Sequence, residues 1–159
     1  MKIRLAIREV HRSERKLAHR FNVLAARHTT DQEIYHLAHD MAGWSQQHLR
    51  GLAEHGRHYG LHLSANPRTG AATGFLQARL AAMLRSRPEP GLLLLADLRR
   101  IHRLAAGTSV DWELLAQVAQ AAKDDELLSL TSRFHPETLR QMRWANGMLK
   151  VLSPQILMN

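Results

Sequence analysis

The stretch IRLAIREVHRSERKLAHRFNVL, residues 3–24, decides the fold. Ile3, Ile7, Val10, Leu17, Phe21 and Leu24 recur at alternating steps of four and three, which is one apolar stripe on an amphipathic helix. Glu14 fills the central slot of that stripe, and His11 lies one turn before it on the adjoining edge. An ionised carboxylate inside a helical core is costly unless a proton, a cation or hydrogen bonds compensate it. The sequence therefore predicts a partner for Glu14.

The first helix is predicted over about 2–28, and three further segments carry the same period. Thr29, Thr30 and Asp31 supply a turn and an N-cap, and Glu33 complements the dipole of a second helix over about 32–59. Its stripe is Ile34, Leu37, Met41, Trp44, His48, Gly51 and His55, with Gly60 as a stop. A third helix over about 92–122 keeps its stripe in phase through Gly107, Thr108 and Ser109, which favours one long helix over two. The fourth, over about 125–152, carries Leu128, Thr131, His135, Thr138, Met142, Ala145, Leu149 and Leu152. Pro136 is expected to bend it or to start a new helix, and Pro154 to end it. Residues 61–89, with a short amphipathic helix at 75–86, form a linker long enough to return along the bundle. The expected fold is all-α: a single domain of two antiparallel hairpins joined by one long crossover.

Composition narrows the function classes. The 159 residues suffice for one domain with a proper core. The absence of cysteine excludes disulfides and thiolate metal sites. No apolar run approaches the roughly 18 to 20 residues of a spanning helix, so no membrane association is expected. The basic N-terminus looks superficially like a transit peptide, but Glu9, Glu14 and its continuous period mark it as mature protein, and a cytoplasmic location is expected. The net charge of +8 is uneven: residues 1–90 hold 14 Lys and Arg against 7 Asp and Glu, and residues 91–159 hold 8 against 7. Helix one supplies most of the excess through Lys2, Arg4, Arg8, Arg12, Arg15, Lys16, Arg20 and Arg27. Such a field attracts nucleic acid or an acidic partner. With no aromatic interleaving and no binding motif, a solvated outer face is the simpler reading.

The stretches EVHRSERK (9–16), DWELLAQ (111–117) and HPETLRQMRW (135–144) resemble a group of bacterial proteins within the ferritin-like superfamily, and the likeness covers almost the whole chain. The group brings no settled activity. The superfamily resemblance implies a four-helix bundle with a di-iron pattern, a Glu on helices one and three and a Glu-x-x-His on helices two and four. Here Glu14 matches on helix one and His48 on helix two, where Ser45 replaces the glutamate. Helix three offers Ala105 or Thr108, and helix four offers Thr138 and Gln141. The resemblance thus implies a degenerate centre, mononuclear or vestigial.

Counting from the first turn sets Glu14 opposite Ser45 and His11 opposite His48, with His135 near the level of His11 and with Thr108 and Thr138 close by. His11, Glu14, His48 and His135 could hold one divalent ion, iron, manganese or zinc, with Ser45, Thr108 and Thr138 around it. Two alternatives need no metal: a satisfied polar network, or a Glu14 neutralised by a raised pKa. His55 and His58, near the bundle end, read as capping or solvated. His36, His39, Asp40 and His19 could form a weak surface metal site. His102 reads as a core histidine, and Trp44, Trp112 and Trp144 as packing. Tyr35, Ala42, Leu49 and Gly56 form an outer apolar row suited to a homodimer seam. Three functions stay open: metal handling in the core, a non-catalytic helical module, or binding of nucleic acid or an acidic partner through helix one.

Overall fold

Two aspartates restart the chain after its turns. Asp31 Oδ1 accepts the Ile34 amide at 3.1 Å and Asp124 Oδ1 accepts the Leu127 amide at 2.9 Å, each satisfying a donor that a helix start would leave bare. A computed structural model describes residues 2–67 and 89–158. Among these residues there are four long helices and no strand: α1 (Ile3–Arg27), α2 (Gln32–Gly56), α3 (Pro90–Ala122) and α4 (Asp125–Leu157), with a 3-10 turn at Arg57–Tyr59. The short helix expected at 75–86 lies outside the described residues. Gly60 (φ 66°) stops the second helix in the left-handed region, where a glycine carries no Cβ penalty.

α3 runs unbroken through Gly107, Thr108 and Ser109. α4 passes through Pro136 and also through Pro154, which therefore does not end it. The Met158 amide still reaches the Pro154 carbonyl at 3.3 Å, so the last turn closes behind the proline.

Cross-helix bonds fix the topology. Arg27 meets Asp97 and Ser13 meets Asp111, so α1 and α3 are antiparallel. Gln141 meets Ser45 and His55 meets Asp124, so α2 and α4 are antiparallel as well. Each of α1 and α4 packs against α2 and α3, and the α2–α4 seam is the sparsest of the four. α2 and α3 thus run parallel on one diagonal, as a single long crossover requires.

The core is split in two. One apolar cluster gathers Leu17, Phe21, Leu24, Ile34, Leu98 and Ile101, and the other gathers Ile3, Ile7, Val10, Leu52, Leu115 and Leu127. Between them lies a buried polar layer: Glu14, Ser45, His48, Thr108, Thr138 and Gln141, none more than 1% exposed. The row Tyr35, Ala42, Leu49 and Gly56 faces inward rather than outward. Ala42, Leu49 and Gly56 are buried within the chain, so this row offers no dimer seam.

α4 packs tightly over Gly51 of α2, where an added Cβ would sit 2.6 Å from Phe134 Cε2. That ring cannot yield easily, because His48 (4.6 Å between centroids) and Trp112 (6.1 Å) hold it. Gly51→Ala should therefore destabilise by about 1–3 kcal/mol through overpacking. Gly107→Ala meets nothing within 4 Å in mid-helix and should stabilise by about 1 kcal/mol. Chemical denaturation of the two variants measures both signs.

Candidate functional site

Glu14 finds its partners from three other helices. Its Oε1 accepts from His48 Nδ1 on α2 at 2.9 Å, Trp112 Nε1 on α3 at 2.7 Å and Thr138 Oγ1 on α4 at 3.0 Å. Burial pushes the carboxyl up, but the His48 charge and the His48 and Trp112 hydrogen bonds outweigh it, and the group is held below its ordinary 4.5. Ser45 adds a weaker favourable interaction, and its own Oγ accepts from Gln141 Nε2 at 3.0 Å. Oε2 has no partner of normal hydrogen-bond geometry among the described residues.

His48 is bonded at both ends of its ring. Nε2 lies 2.7 Å from Oε2 of Glu137, whose side chain is 24% exposed. A ring between two carboxylates donates from both nitrogens only as an imidazolium. Burial pulls the His48 pKa down, yet Glu14 and Glu137 overcome it and raise it above 6.5. Glu14, His48 and Glu137 form a charge chain running from the centre of the bundle toward the surface.

The other residues expected around Glu14 lie elsewhere. His11 points off the edge of the α1 stripe, and its Nε2 meets the Ser64 carbonyl at 2.7 Å in the chain leaving α2. Burial, opposed by that bond, lowers its pKa. His135 faces α3, with Nε2 2.8 Å from Ser109 Oγ and Nδ1 3.8 Å from Glu113. The Thr108 hydroxyl turns back on its own helix, to the Leu104 carbonyl at 2.7 Å. Ser45 and Thr138 do join the layer. Glu14 keeps an interaction with Ser45, as the count expects, and also takes the His48 that the count set opposite His11, which is left on the rim.

A metal ion at Glu14 does not fit this donor set. An imidazolium has no free lone pair, His11 and His135 do not converge on the carboxylate, and Oε2 alone would remain to bind. Glu137 is the member that the sequence did not reveal, and Gln141, which stands where the resemblance expects a histidine, joins the layer through Ser45. Glu137 follows Phe134 by three and precedes Gln141 by four, so helical spacing places all three on one face, and that was the available signal. Trp112 packs in the core as expected and in addition donates to Glu14.

Two features lie outside the layer. At the bundle end, His55, His58 and Glu126 offer ligand atoms that all lie within 4.8 Å of one another, a group able to hold a metal ion. It is the only such group among the described residues. His36, His39 and Asp40 are exposed and belong to no such group, and His102 is half-buried. A shallow groove of about 410 Å³ spans the α1–α3 seam and is lined by Lys16, Arg20 and Arg100; a groove of about 180 Å³ on α1 and one of about 390 Å³ on α3 share lining residues with it and add Arg15, Arg99 and Arg103. Burial lowers the Arg20 pKa, and repulsion from Arg100 and Arg27 lowers it further, against the pull of Asp97.

Compared with family models, curated proteins and solved structures, the chain matches none of them. No helix among the described residues is long and apolar enough to cross a membrane.

The charge chain sets the pH dependence of stability. Glu14, held below its ordinary pKa, contributes stability at neutral pH that is lost as pH falls through its lowered value. His48, raised above 6.5, contributes stability that is full below 6.5 and lost as pH rises through its raised value. His11 has the opposite sign to His48, since its lowered pKa favours unfolding as pH falls below 6.5. His48→Gln should therefore destabilise most on the acid side of neutrality and progressively less as pH rises. Glu14→Ala should cost about 3–5 kcal/mol near neutral pH, because it breaks a buried ion pair and leaves the Nδ1–H of His48 and the indole N–H of Trp112 without an acceptor. Denaturant melts of the three proteins across acid, neutral and mildly alkaline pH measure both effects.

Proposed function

We propose that this chain is a non-catalytic helical module of ferritin-like topology that binds the phosphate backbone of nucleic acid through the face shared by α1 and α3. The observation that carries the reading is the cluster of unpaired cations along that seam. Arg15, Lys16, Arg20, Arg99, Arg100 and Arg103 form no ion pair among the described residues, whereas Arg12 is paired with Glu9 and Arg27 with Asp97. Like charges held this close raise the energy of the free protein, and a polyanion relieves the repulsion.

The sequence shows only half of this face. Arg99, Arg100 and Arg103 sit on the outer side of α3, and the antiparallel packing lays Arg100 beside Lys16 and Arg20, with Arg99 and Arg103 flanking it. The unpaired cations span about 8 Å of α1, from Arg15 to Arg20, and about 6 Å of α3, from Arg99 to Arg103, at about 1.5 Å per residue. A duplex carries one charge per about 1.7 Å of axis, so several phosphates fall within reach. The closed Glu14–His48–Glu137 chain supports the non-catalytic part of the reading, because its central imidazole has both nitrogens engaged.

Fluorescence anisotropy with a labelled duplex of arbitrary sequence tests the proposal. Affinity should fall linearly on a log–log plot against salt, with a slope of about −4 to −5 if four to six phosphates are neutralised. Arg100→Glu with Arg103→Glu should weaken binding at least tenfold, and Arg140→Glu, an equal change per site on α4, should have little effect. No binding at low salt, or equal loss from Arg140→Glu, refutes the assignment of this face.

A further inference from the structure

The three residues at the far end of the bundle bring their ligand atoms within reach of a single ion. His55 is buried at the last turn of α2, His58 follows one turn later in the 3-10 segment, and Glu126 stands in the first turn of α4. The two rings lie 5.0 Å apart, nearly perpendicular, and His58 Nδ1 is 3.8 Å from Glu126 Oε2. Spacing at i and i+3 puts both imidazoles on one side of the helix end.

The independent observation is Asp124. Its Oδ2 meets His55 Nε2 at 3.0 Å and also accepts the Tyr59 hydroxyl, while its Oδ1 caps α4 through the Leu127 amide. A carboxylate on one imidazole nitrogen fixes the tautomer, orients the ring and raises the basicity of the other nitrogen. Here it leaves Nδ1 of His55 as the lone pair free to bind. Asp124 is itself immobilised by Tyr59 and the helix cap, so the orientation is fixed before any ion arrives.

We propose that His55, His58 and Glu126 bind one divalent ion of the zinc class, with Asp124 positioning His55. Two imidazoles and one carboxylate suit a borderline ion, and three protein ligands leave a fourth position open. That position opens onto a groove of about 560 Å³ lined by Arg50, Gly51, Arg133 and Phe134. Arg50, Arg133 and Glu54 make the groove polar, so water can complete the coordination. The ion ties the end of α2 to the start of α4 across the sparsest seam of the bundle.

Isothermal titration of untagged, metal-stripped protein with zinc provides the test, together with the visible spectrum of the cobalt-substituted form. The expected result is one ion per chain and a four-coordinate cobalt spectrum. His58→Ala and Glu126→Ala, both at exposed positions, should each weaken binding at least tenfold. Asp124→Asn keeps a capping oxygen and should weaken binding about ten- to hundredfold. His39→Ala, at an exposed position outside the group, should leave affinity unchanged, which separates this site from adventitious surface histidines. Zinc binding that survives both His58→Ala and Glu126→Ala, or that weakens equally in His39→Ala, overturns the assignment. So does titration showing only several weak, non-stoichiometric sites.

Discussion

The contact between Glu14 and His48 is the constraint around which the bundle is organised. A carboxylate with no solvent exposure stays ionised where a cation and hydrogen bonds compensate it, and the imidazolium of His48 supplies the charge. Because Oε1 also accepts from Trp112 and Thr138, one oxygen reads the position of all three other helices at once. Sliding any helix by a turn would strand a buried charge or a buried donor. Apolar contacts above and below the layer would tolerate such a slip far better, since dispersion and burial are not directional. The layer thus acts as a register device, a role best attested for isolated polar groups in helical cores.

Closing the interior in this way moves the available chemistry to the outside. The position that the resemblance assigns to redox metal is taken by a salt-bridged imidazole, and the candidate ligands His11 and His135 serve other contacts. What remains open is a cationic seam between α1 and α3 and a histidine-rich end between α2 and α4. They lie on different seams of the bundle and draw on no common residue, so either can be altered without disturbing the other or the buried layer.

Much of this was legible in the residues. A three-and-four period needs no tertiary information, so the helical segments could be read directly, and Glu14 stood out because one charged residue breaks an otherwise apolar series. The unbroken α3 followed from phase, which Gly107 does not disturb because its side of the helix faces open space. The angular position of edge residues was not legible. His11 and His135 sit beside the stripe, and a small rotation decides whether each turns inward or to a neighbouring rim. Glu137 was hidden for the same reason, since an edge carboxylate on α4 gains meaning only when α2 presents His48 to it. The contribution of Arg99, Arg100 and Arg103 required knowing that α3 lies antiparallel beside α1. Pro154 misled because a proline within the last turn removes only one bond, which the end of α4 tolerates.

The protonation state of one imidazole tests the account most directly. In a protein with nitrogen-15-labelled histidine, the ring signals of His48 should show both nitrogens protonated at neutral pH, with a midpoint above 6.5 that falls in Glu137→Gln. A neutral His48 ring at neutral pH, with one nitrogen carrying a free lone pair, would contradict it.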